Sequence, residues 1–148
     1  MNTIKTINHQ PAFASAPCAW IAIDDVPIEA WFAQALDYPD ALTLGFAPMW
    51  LCDEDEERLA CARLVPGVEG SSTVVPALVC SDDMDFGCTV VVVEQLVCNG
   101  TVQWLRWGHC VSNRREVGIS TIWKSTAVSP LATFDLAQFD ACVRTFKR

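Results

Sequence analysis

The chain has 148 residues, is 51% apolar with six tryptophans, and carries a net charge of −8. That length buries a sizeable core without metals or crosslinks, and that composition excludes a disordered chain. No apolar run approaches the roughly eighteen residues of a membrane-spanning helix, and the acidity argues against nucleic acid or an anionic membrane as a partner.

The charge is unevenly spread. Residues 1–100 hold fifteen acids against three bases, whereas residues 101–148 hold three acids against seven bases. No Lys or Arg lies between Lys5 and Arg58, a stretch in which ten acids fall from Asp24 to Glu57. Such polarity attracts a basic partner and speeds its association at modest salt.

Taken in chain order, residues 1–17 read as a loosely ordered lead-in to a single domain spanning 1–148. They lack the apolar stretch of a secretory signal, so a cytoplasmic protein is expected. Pro27 to Tyr38 places Ile28, Trp31, Phe32, Ala35 and Leu36 on one helical face, with Asp24-Asp25 ahead and Tyr38-Pro39 as the stop. Leu42 to Leu51, apolar but interrupted by Gly45 and Pro48, reads as an edge or bulged strand. The acid run Asp53, Glu54, Asp55, Glu56 and Glu57 follows. Arg58 to Val65 is then taken as one arm of a hairpin with Thr73 to Cys80, over a competing helix at 54–64 whose acids first and arginines later would suit the helix dipole.

Asp82, Asp83 and Asp85 form a second acidic cluster at a turn. The β-branched run Cys88 to Val97, the pair Asn99-Gly100 and the alternating segment Thr101 to Cys110 make the clearest hairpin. Gly118 to Lys124 supplies a further strand with Ile119, Thr121 and Trp123 on one face. A closing helix has Asp135 as N-cap, Gln138 three residues on, and Phe134 and Phe139 as a hydrophobic staple. The expected fold is α+β: a mostly antiparallel sheet of about five strands flanked by an N-terminal and a C-terminal helix.

Catalytic patterns are missing. There are two histidines, His9 and His109, and neither has a marked nucleophile or base partner; His109-Cys110 would point to opposite faces of a strand. No phosphate-binding glycine loop or nucleophile elbow occurs, and no cofactor is expected. The eight cysteines include no CxxC pair, so they read as reduced core thiols with no metal expected. Asp53 onward fails as an EF-hand, since Arg58 stands where Gly is needed. Trp20, Trp31 and Trp123 are assigned to the core. Trp50, Trp104 and Trp107 are candidate interface anchors, with His109 beside them.

The stretch from Asp82 to His109 joins an acidic turn, an apolar strand, an NG hairpin and a W-x-R-x-G strand. With the small size and acidity, it resembles the immunity proteins of polymorphic-toxin and contact-dependent growth-inhibition systems. That resemblance implies a cytosolic protein that occludes a toxin domain, often a nuclease with a basic cleft. The expected contacts are Asp53, Glu54, Asp55, Glu56, Glu57, Asp82, Asp83 and Asp85, with Trp50, Trp107 and His109 as anchors. Two other readings stand beside it: a small enzyme centred on His109 with Asp82, Asp83, Asp85 or Glu94, and a homo-oligomeric assembly subunit.

Overall fold

The Asn99-Gly100 turn organises the main sheet. Both residues take positive φ, 52° and 73°, the geometry of a two-residue hairpin turn. They join β6 (Val90–Cys98) to β7 (Thr101–Cys110). In the computed structural model, which describes residues 1–111, 120–124 and 128–146, this hairpin is the centre of a six-stranded sheet. β5 (Ser72–Cys80) pairs with β6, and β4 (Leu44–Phe46) pairs with the end of β5. The far edge of β7 is shared: β8 (Thr121–Trp123) takes Gly108–Cys110, and β9 (Ala132–Asp135) takes Thr101–Trp104. These named pairings are all antiparallel, so the α+β expectation is met, with one strand more than anticipated. Of the predicted strand at Gly118–Lys124, residues 118 and 119 lie outside the described residues.

The valine run is explained by burial on both faces. Val91 and Val93 face the larger core, whereas Val90 and Val92 join Ala47, Leu51, Ala60, Val79 and Phe86 in a smaller one. A bulge sets the tryptophans. Gln95 opposes Trp104 and Glu94 opposes Arg106, so Leu105 is the extra residue. Trp104 and Trp107 therefore share a face despite their odd spacing, and both enter the larger core.

The N-terminus differs from expectation. Residues 4–9 are no lead-in: β1 (Ile4–His9) pairs antiparallel with β2 (Cys18–Ile23), which also pairs with the two-residue β3 (Val26–Pro27). Asp24, at φ 51°, clamps this edge. Its carboxylate accepts from the Thr3 amide at 2.8 Å and from Asn2 Nδ2 at 2.7 Å, and the Thr3 bond above all lowers its pKa. Asn2 also donates its amide to the Thr133 carbonyl at 2.7 Å, tying this small sheet to β9.

Helix α1 (Ile28–Ala35) buries Ile28, Trp31 and Phe32 as the periodicity requires. The expected strand over 42–51 is instead a 3-10 turn (Pro39–Thr43), the three residues of β4, and a single helical turn, α2 (Ala47–Trp50). Pro48, a breaker in a strand, is tolerated in a first helical turn. The preferred hairpin arm at 58–65 is also corrected: Glu54–Leu64 is a helix, α3. Asp53 Oδ1 accepts from the Glu56 amide at 3.0 Å, and four acids occupy the first turn, where the dipole favours them. Helix α4 (Leu136–Val143) starts as expected, with Asp135 accepting from the Gln138 amide at 3.0 Å and the Phe134 and Phe139 rings 5.2 Å apart.

None of the eight cysteines, all among the described residues, forms a disulfide. Only Cys61 and Cys142 are fully buried, and Cys52 and Cys88 are exposed, so the core-thiol expectation holds in part. Among the described residues, no helix is long and apolar enough to cross a membrane.

Candidate functional site

The loop from Ser81 to Thr89 joins β5 to β6 and is held from three directions. Trp50 Nε1 donates to the Ser81 carbonyl at 3.0 Å. The Cys52 amide donates to the Met84 carbonyl at 3.0 Å. The Phe86 amide donates to Glu56 Oε1 at 3.3 Å. The last two bonds lay the N-terminus of α3 alongside the loop, so the two acidic clusters of the sequence form one acidic end of the molecule.

Within that end the residues differ in what they present. Asp53, Glu54, Asp55, Asp82 and Asp83 are exposed, and Glu57 and Asp85 are half-buried. Glu56 is only 6% exposed; its bond to the loop makes it part of the fold and takes it out of the outward-facing set. Asp53 caps α3, and Asp85 Oδ1 accepts from the Gly87 amide at 2.8 Å. Arg58, one turn into α3, pairs with Glu54 at 2.9 Å and lies 3.8 Å from Asp55; such exposed pairs hold little energy.

The expected anchors turn inward. Half-buried Trp50 packs its ring against Phe13 and Trp20, at 4.8 and 6.0 Å between centroids. It also lies so close to Gly45 that a Cβ there would meet Trp50 Cγ at 2.4 Å. Trp104 is fully buried and Trp107 is 8% exposed, so neither offers a surface to a partner. Trp20 and Trp31 are core as expected. Trp123 is half-buried beneath the Arg106 guanidinium, 3.9 Å from its ring centroid.

His109 meets Tyr38, with Nε2 3.2 Å from the hydroxyl oxygen. Glu94 is engaged by Arg106 at 2.8 Å, and the register puts that pair on the sheet face opposite His109. The enzyme reading that joined His109 to Glu94 is therefore not supported by geometry. Burial, and then the Lys124 ammonium, lower the His109 pKa below the ordinary 6.5. The folded state thus holds the neutral ring, and the unfolded chain takes the proton first as pH falls through 6.5. His109→Asn is expected to lose less stability than the parent between pH 7.5 and pH 5, read from urea midpoints at both.

A second cluster has no marker in the sequence. Glu29, 4% exposed, accepts from Trp20 Nε1 at 2.9 Å and lies 2.8 Å from His9 Nε2. Cys18 stands opposite His9 in the β1–β2 register. Burial first, and the Glu29 carboxylate second, raise the Cys18 thiol pKa, the opposite of an activated nucleophile. The cluster serves to satisfy a buried carboxylate, since a carboxylate out of water requires bonded partners.

Comparison with protein-family models, with curated proteins and with solved structures returns no match.

Proposed function

We propose that this protein is a cytoplasmic immunity-type inhibitor that occludes a basic toxin domain with the acidic end formed by α3 and the β5–β6 loop. The observation that carries this reading is the convergence of two acidic clusters, far apart in sequence, through the Cys52–Met84 and Glu56–Phe86 bonds. Glu54, Asp55, Asp82 and Asp83 face solvent there and would stand in for the phosphates that a nuclease cleft binds. Charge on such a rim acts mainly through the association rate. Trp107 is buried and Trp50 packs inward, so affinity on this reading rests on charge and loop shape.

The test is association with any toxin domain whose gene is found to adjoin this one, measured at several salt concentrations. The triple variant Glu54→Lys, Asp55→Lys and Asp82→Lys spares the cap Asp53 and the buried Glu56, and circular dichroism checks that it is folded. Its association rate should fall by roughly a hundredfold at low salt, with the difference shrinking as salt rises. Unchanged association by the folded variant would sink the assigned face.

A further inference from the structure

The mouth of the β5–β6 loop brings together three metal-binding groups. We infer that Cys80, Asp83 and Cys88 form a site for a zinc-class divalent cation. Their ligand atoms, Cys80 Sγ, an Asp83 carboxylate oxygen and Cys88 Sγ, all lie within 4.8 Å of one another.

The backbone explains why they meet. The Cys80 amide donates to the Thr89 carbonyl at 3.1 Å, which sets Cys80 across the loop mouth from Cys88. The Met84 amide then donates back to the Cys80 carbonyl at 3.1 Å, and Met84 takes φ 56°. That turn folds Asp83 over the two thiols. A tetrahedral zinc with bonds of about 2.3 Å to sulfur needs its sulfurs about 3.8 Å apart, a closure within the reach of side-chain rotation. Cys80 is half-buried while Asp83 and Cys88 are exposed, so the fourth position opens to water.

The donor set chooses the class of ion. Two thiolates exclude Ca²⁺ and Mg²⁺, which demand oxygen. A carboxylate beside them suits Zn²⁺ better than Cu⁺. Both thiols release their protons to solvent as the metal binds. The loop is already held by Trp50, Cys52 and Glu56, so metal adds to stability without being needed to fold. The site does not rest on the docking reading; with metal bound, Asp83 is engaged by the ion and Glu54, Asp55 and Asp82 remain the outward-facing acids.

The test is titration of the full chain with Zn²⁺ in a phosphine reductant, and with Co²⁺ as the spectroscopic probe. One Zn²⁺ per chain is expected, and Co²⁺ should show thiolate charge-transfer absorption. Cys88→Ser should abolish that absorption and weaken Zn²⁺ binding by more than the roughly 10–100-fold that losing an outer hydrogen-bond partner costs. Asp83→Asn should weaken it less, and Cys98→Ser, at the other end of β6, should leave it unchanged. Circular dichroism of the metal-free variants confirms that they are folded. Zn²⁺ binding unaffected by Cys88→Ser, or Co²⁺ bound without thiolate absorption, would overturn the site. So would a Cys80–Cys88 disulfide in air whose reduced form takes up no metal.

Discussion

Replacing Trp104 with alanine is expected to cost about 3–5 kcal/mol of folding stability, the range for truncating a buried large aromatic, read as a lowered urea midpoint. Trp104 is fully buried and meets four aromatic rings, those of Trp31, Phe32, Phe134 and Phe139, at 5.1 to 6.4 Å. It thereby joins α1, β9 and α4 to the central strand. Its indole nitrogen donates to Gln95 Oε1 at 3.0 Å, and Gln95 Nε2 donates on to the Leu64 carbonyl at the end of α3, at 2.9 Å. Trp104→Phe keeps most of the apolar contact but leaves the buried Gln95 acceptor unmatched, at about 1–3 kcal/mol. A phenylalanine variant as unstable as the alanine one would mean that the hydrogen bond, not the packing, dominates.

Glu29→Ala is expected to cost about 3 kcal/mol, because it strips the partner from a buried indole N–H and from His9 together. Glu29→Gln retains an acceptor for Trp20 and should cost roughly half as much. Both are measured by denaturant unfolding with tryptophan fluorescence. Equal stability of the alanine variant and the parent would show that water replaces the carboxylate, contrary to its 4% exposure.

The parts of the fold written in local signals were legible. Asn99-Gly100 marked the hairpin, Asp135 and Gln138 marked α4, and the spacing of Ile28, Trp31 and Phe32 marked α1. Helix α3 was misread because its neighbours suggested strands. The decisive signal was local: Asp53 as cap, Glu56 at the third helical position and an acid-rich first turn. β1 was missed because IKTINH buries fully only Ile4; its order comes from β2 and the Asp24 clamp, which no local pattern encodes. For the site, the acidic clusters were visible as composition, whereas their convergence required the loop's bonds to Cys52 and Glu56. Trp104 and Trp107 read in the sequence as interface anchors, whereas the bulge at Leu105 turns both inward. Cys80, Asp83 and Cys88 lacked any metal spacing because a hairpin mouth, not a sequence interval, brings them together.

The edges of the main sheet carry a last consequence. Its two ends are β4, of three residues, and the pair β8 and β9, of three and four. β4 reaches β5 only from Leu78 to Cys80. Below that, Pro76 offers no backbone N–H and Arg63 Nη1 caps the Val74 carbonyl at 3.2 Å. A foreign strand therefore finds no long open ladder on this sheet among the described residues, and edge-to-edge stacking of copies is discouraged. Among the described residues, strand addition finds little purchase along these edges, so side chains and loop ends are what this sheet offers to any other protein.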